Sequence, residues 1–152
     1  MLITVDPGQN VGMALRFDNG NWGTLTVEKV PSGADRFDMV LSTLVELVDK
    51  YAPKVIVIES FKTMSRYVST YGLETLELIG AVRAVAYLRE TPVVMQSPQE
   101  RVFMEGDAKG LLKERNKRYT DHEVSALAHL LAYEYVRSPE YQEAVRGAKK
   151  RA

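Results

Sequence analysis

The sequence predicts a single α/β domain built on a mixed sheet, and two observations carry that prediction. Two short apolar runs, residues 2–5 and 55–58, each end in a carboxylate, Asp6 and Glu59. Between them lies a stretch with apolar residues at helical spacing. A helix that joins two apolar strands of one sheet crosses over right-handedly and lays them parallel. Length and composition agree: 152 residues with 45% hydrophobic content can bury a sizeable core without a linker.

The first run is too apolar for an exposed edge, so it should lie inside the sheet with Asp6 at the rim. Pro7-Gly8 turns the chain, proline presetting φ and glycine accepting the positive φ that can follow. The chain then doubles back as a strand over 11–17. Asp18-Asn19-Gly20-Asn21 is a hairpin turn and 22–30 a third strand, which completes an antiparallel meander. Pro31-Ser32-Gly33 breaks the pattern. Phe37, Val40, Leu41, Leu44, Val45, Leu47 and Val48 then mark a helix that stops at Tyr51-Ala52-Pro53. The strand at 55–59 lies parallel to the first, with Glu59 at the same rim as Asp6.

Residues 61–70 lack clean periodicity and read as a loop or an irregular helix start able to touch a ligand. A helix over 73–89 follows, whose small residues Gly80, Ala81 and Ala84 permit close packing, including that of a dimer. Residues 92–96 form a short fifth strand, and Ser97-Pro98-Gln99-Glu100 opens a helix with a serine N-cap, proline first inside and a capping-box glutamate. The last helix starts near Thr120-Asp121 and runs to about Val136. The domain thus spans 1–137, and 138–152 is a basic tail, either a frayed helix or disordered.

Lys+Arg and Asp+Glu balance at 20 each, so an anion-binding surface must come from charges sorted in space. The absence of cysteine excludes disulfides, thiolate zinc sites and a cysteine nucleophile, leaving carboxylates and two histidines as metal ligands. No stretch approaches about 18 apolar residues, and the chain enters a strand with no basic leader or cleavage site. The expectation is a soluble, intracellular protein with no membrane partner.

Asp6 alone is either a turn aspartate accepting backbone hydrogen bonds or a rim carboxylate; Glu59, on a second strand of the same design, invites a shared site. In the last helix Val124, Leu127, Ala128, Leu131 and Tyr135 form an apolar stripe, with His122, Ser125 and His129 on an adjoining one. Either these residues line something polar, or Thr120 or Asp121 caps the helix and the histidines are ordinary. Taken together, Asp6, Glu59, Asp121 and His122 suit one or two Mg²⁺ or Mn²⁺ ions. Two ions about 3.5–4 Å apart would serve phosphodiester cleavage, and a glycosidase carboxylate pair is the competing use. Phosphodiester chemistry ranks first because Lys62 and Arg66 on one side, and Lys109, Lys113, Arg115, Lys117 and Arg118 on the other, supply cations for a phosphate backbone. The plainer reading of the second group is a solvated helix face.

At Ile3-Thr4-Val5-Asp6-Pro7-Gly8 with Gly12, Val55-Ile56-Val57-Ile58-Glu59, Gly80-Ala81-Val82-Arg83 and Asp121-His122-Glu123-Val124-Ser125-Ala126-Leu127-Ala128, the sequence resembles the RuvC-like Holliday junction resolvases of the ribonuclease H-like superfamily. The likeness is greatest to the compact phage and bacterial forms, and in order and spacing it covers nearly the whole chain. It implies a five-stranded mixed sheet of order 3-2-1-4-5 with helices on both faces. It also implies a homodimer that nicks two strands of a four-way DNA junction, in a bacterial cytoplasm or a phage-infected host. Asp6 and Glu59 match the first two metal-binding acids, and His122 matches the Asp or His opening the last motif. Two Mg²⁺ or Mn²⁺ ions per site follow from the same resemblance. Ser125 departs from it, standing where the family usually has a metal-binding aspartate. Either Asp121 replaces that acid, or the second ion is weakly held, or the chain is an inactive form that only binds junctions. Phe61 lies near the family's junction-stacking aromatic, with Tyr67 as the alternative. A nucleotide-binding actin-like or kinase domain also begins with Asp-x-Gly, but the chain is too short for the usual duplicated pair.

Overall fold

The computed structural model describes residues 1–8, 10–27, 36–61, 70–115 and 118–143. Strands β1 (Leu2–Pro7), β2 (Val11–Arg16) and β3 (Trp22–Val27) form the meander. Helix α1 (Arg36–Tyr51), strand β4 (Val55–Glu59), helix α2 (Thr70–Leu88) and strand β5 (Val93–Gln96) follow. Helix α3 (Pro98–Arg101), a 3₁₀ turn (Val102–Met104), α4 (Glu105–Glu114) and α5 (Asp121–Val136) complete the order. The five strands lie in the order β3-β2-β1-β4-β5, with β1 antiparallel to β2 and parallel to β4, and β4 parallel to β5. This is the mixed sheet that the resemblance implies, with β1 at its centre and every β1 residue buried.

Alternation along the strands sorts side chains to two faces. Ile3, Val5, Met13, Ile56 and Ile58 join α1 through Val40, Leu44 and Val48, and α2 through Leu78, Ile79 and Val82. On the other face Leu2, Ala14 and Val57 meet Ala108 and Leu112 of α4, and Val124, Leu127 and Leu130 of α5. Helices therefore cover both faces, as expected.

Most boundaries follow the sequence. The hairpin turn closes through Phe17 N–H to Asn21 O at 2.8 Å and Gly20 N–H to Phe17 O at 3.0 Å, with Gly20 at φ +84. α1 stops where Ala52 takes φ 43 before Pro53. The continuation of the third strand over 28–30 lies outside the described residues. α2 begins three residues before the expected 73, and the helix that Ser97 opens with its capping box is broken by the 3₁₀ turn. Beyond residue 137 the chain makes a helical stretch over 139–143. There Tyr141 packs edge-on to Tyr135 at 5.3 Å between ring centroids. Among the described residues no helix is long and apolar enough to cross a membrane.

Side-chain bonds set the seat of α5 on the sheet. Arg16 of β2 donates from Nε and Nη2 to the two carboxylate oxygens of Glu134, at 2.8 and 2.7 Å, the fork geometry that fixes orientation as well as distance. Thr4 of β1 donates to the Ala126 carbonyl at 2.6 Å. At the N-terminus, Thr120 and Glu123 form a reciprocal capping box, and Thr24 of β3 donates to Glu123 at 2.7 Å. Capping and sheet contact share one glutamate, so the first turn of α5 is pinned over β2 and β3.

Candidate active site

Register brings the key residues into one row. Thr26 pairs with Gly12, Gly12 with Asp6, and Glu59 with Gln96, while Val5 pairs with Ile58 just before the two carboxylates. Asp6 and Glu59 thus stand at the ends of adjacent parallel strands, on the face that α5 covers.

Glycine makes room for α5 in that row. A Cβ on Gly12 would collide with the carbonyl carbon and oxygen of His122. A Cβ on Gly8 would lie 2.8 Å from His122 Cε1 and 3.1 Å from its Nδ1. Both glycines hold His122 close, and its Nδ1 sits 3.2 Å from Asp6 Oδ2.

Glu59 is held from the opposite side. Its Oε2 accepts from His129 Nε2 at 2.6 Å, Arg101 Nε at 2.9 Å and Ser125 Oγ at 3.4 Å. His129 is fully buried, and its Nδ1 lies 2.8 Å from Gln96 Oε1. Arg101 is also paired with Glu105. Burial is the largest single influence on the Glu59 carboxyl and opposes its ionisation. The hydrogen bonds from His129 and Arg101, with their charges, together outweigh it and hold the group below its ordinary value of 4.5.

Asp6 borders two clefts. The first, about 210 Å³, runs from Asp6 and Gly8 past Glu59 and Ser60 to Phe61. The second, about 390 Å³, is bounded by Asp6, Asp121, His122 and Ser125 on one side and by Arg101, Glu105 and Lys109 on the other. Of the residues expected at the site, Asp6, Glu59, His122 and Ser125 therefore come together, and Asp121 is exposed at the rim of the second cleft.

Among the described residues, no three His, Asp or Glu side chains are grouped closely enough to hold an ion by themselves. A hard divalent ion is commonly held by one or two carboxylates with water and substrate phosphate filling the remaining positions. Asp6 and Glu59, lining one cleft, fit a single such ion. A second is poorly provided for, because Ser125 brings no charge and Arg101 already lies on Glu59.

Lys109 faces the second cleft, and Lys113 is exposed one turn further along α4. Arg115 lies over the Trp22 ring, 3.6 Å from its centroid, and donates to the Trp22 carbonyl at 2.7 Å, so it clamps the end of α4 to β3. Arg118 is exposed in a separate groove with Thr26 and Thr120. Phe61 is 40% exposed beside Glu59. Lys62, Arg66, Tyr67 and Lys117 lie outside the described residues. Sequence reasoning missed Arg101, whose signal was its spacing four residues before Glu105, and Gln96. It placed His129 on the polar stripe without its partner Glu59.

No family model matches the sequence, and neither does any curated protein. Solved structures do match. Thermus thermophilus RuvC in complex with a Holliday junction substrate superposes with a TM-score of 0.70 at 16% identity, over 90% of this chain and 95% of that one. The yeast mitochondrial Holliday junction resolvase Ydc2 gives 0.58 at 13%, over 87% and 76%. The fowlpox virus Holliday junction resolvase gives 0.54 at 13%, over 87% and 96%. The chain has the fold of these proteins.

Proposed function

We propose that this chain is a structure-specific endodeoxyribonuclease that nicks the phosphodiester backbone of branched DNA, four-way junctions above all, with a divalent ion at Asp6 and Glu59. The observation that carries this reading is the pairing of those two carboxylates at the ends of adjacent parallel strands, in a cleft open to substrate. The junction bound by the Thermus neighbour supports the choice of DNA. Mg²⁺ or Mn²⁺ bound there would lower the pKa of water and offset charge on the phosphate.

The chain's own residues do the positioning. His122 orients Asp6, and His129 with Arg101 fixes Glu59, so neither carboxylate has to reorganise when substrate arrives. Lys109 and Lys113 offer cations to the DNA backbone. Phe61 offers an aromatic face to an unstacked base. α2 exposes Leu73, Leu76, Tyr87 and Leu88, an apolar surface suited to a two-fold dimer whose two sites would make symmetric cuts.

The test is nicking of an end-labelled four-way junction with and without Mg²⁺, by the natural chain and by Asp6→Asn. The expected result is ion-dependent nicking by the first and binding without nicking by the second. Ser125 favours one other reading, a junction-binding protein without cleavage. That reading is correct if the natural chain binds the junction but leaves it intact in both Mg²⁺ and Mn²⁺.

A further inference from the structure

We infer that Arg101 is the second cation of this site, standing where a second divalent ion would otherwise be needed; the inference rests on the nuclease reading above. Its basis is a coincidence at one atom. Glu59 Oε2 receives both Ser125 Oγ, at 3.4 Å, and Arg101 Nε, at 2.9 Å. The residue that lacks the expected negative charge and the residue that brings a positive one therefore meet on the same carboxylate oxygen.

At Glu59 an aspartate at 125 with a divalent ion would add one net positive charge, and a serine with a guanidinium adds the same there, the guanidinium being shared with Glu105 on its other side. The guanidinium stays protonated at any pH the protein survives. It is also held in place, Nε by Glu59 and Nη1 by Glu105. Among the described residues its Nη2 has no protein partner, and the side chain borders the cleft shared by Asp6, His122 and Lys109. A guanidinium fixed at two points with an unused donor edge suits a phosphate oxygen better than a mobile lysine does.

Mn²⁺ titration of the full chain by calorimetry, with electron paramagnetic resonance as a second readout, tests this directly. The expected stoichiometry is one ion per chain for the natural protein and for Arg101→Lys combined with Ser125→Asp, which keeps the positive charge. Two ions, with an exchange-coupled Mn²⁺ signal, are expected for Arg101→Gln combined with Ser125→Asp. Two ions or none in the natural protein overturns the inference, as does a second ion in the lysine variant. So does a single ion in the glutamine variant if its melting curve shows it folded.

In EDTA, Arg101→Gln should make the log-log salt dependence of junction binding shallower by about 0.9, the loss of one phosphate contact. An unchanged slope means that Arg101 is only a structural ion pair, and overturns the inference. A chain that takes one Mn²⁺, contacts DNA through Arg101 and never nicks leaves the inference standing and removes the nuclease reading. A chain that nicks with two ions does the reverse.

Discussion

One methyl group added at Gly8 or at Gly12 meets the same histidine with opposite consequences. At Gly12 the new carbon would strike the His122 backbone, in a helical turn that the Thr120–Glu123 capping box and Thr24 hold fast. Forcing atoms into a packed site costs about 1–3 kcal/mol, occasionally more. Gly12→Ala belongs at about 3 kcal/mol or above, which for a domain of this size lowers the melting temperature by about 6–12 °C. At Gly8 the carbon would stand 2.8 Å from His122 Cε1, the far end of a side chain, and 3.1 Å from the Asn10 carbonyl oxygen, a contact that a small shift of the turn relieves. Relaxing that contact to about 3.5 Å moves the ring by about 0.7 Å. Such a retreat breaks the 3.2 Å approach of Nδ1 to Asp6. Losing the hydrogen bond costs about 0.5–1.5 kcal/mol, and replacing glycine returns about 0.4–1 kcal/mol through the unfolded chain, so Gly8→Ala should melt within about 4 °C of the natural protein. Thermal melts measure the first effect, and imidazole NMR spectra of His122 the second. Equal destabilisation by the two variants, or an unmoved His122 resonance in Gly8→Ala, would refute this account of the glycines.

The lowered Glu59 carboxyl predicts acid sensitivity. Its contribution to stability is complete above its ordinary value of 4.5 and is lost as pH falls through the lower folded value, so the stability curves of the natural chain and Glu59→Gln should converge on acidification. Parallel curves from pH 6 to pH 3 in urea titrations would show that His129 and Arg101 do not stabilise the ionised form. Replacing Lys109 and Lys113 with alanine should make the salt slope of junction binding shallower by about 1.8, and an unchanged slope assigns both to the solvated face. Sedimentation should show a dimer at micromolar concentration and a monomer for Leu76→Arg with Leu88→Arg; a monomeric natural chain would refute the α2 interface.

Much of the architecture was legible because its signals are local. The apolar runs before Asp6 and Glu59 have the length of buried strands, and the helix between them left one sensible arrangement. Thr120-Asp121 likewise marked the start of α5, whereas the capping-box role of Glu123 emerged only in the structure. Arg101 and Gln96 were hidden for a different reason. β5 has only four residues, and whether Gln96 faces α5 follows from its pairing with Glu59, a register that no local pattern states. The partner of His129 depends on how α5 is rotated over the sheet, which is fixed by distant contacts such as Arg16 with Glu134. Gly12 belonged to a recognised motif, but its purpose, clearance for a helix 110 residues away in the chain, exists only after folding.

The row that joins Gly12, Asp6 and Glu59 also makes the site a check on assembly. If the β1–β2 hairpin zipped one residue out of step, Asp6 would pair with Val11 or Met13, and a side chain would fill the gap that Gly12 leaves. α5 could then not settle, and the defective molecule would have no site at all rather than a weaker one. With an ion at Asp6 and Glu59 as proposed, the fraction of a refolded sample able to capture one would count the correctly zipped sheets. The residues that line the cleft thus also report on the pairing of the hairpin.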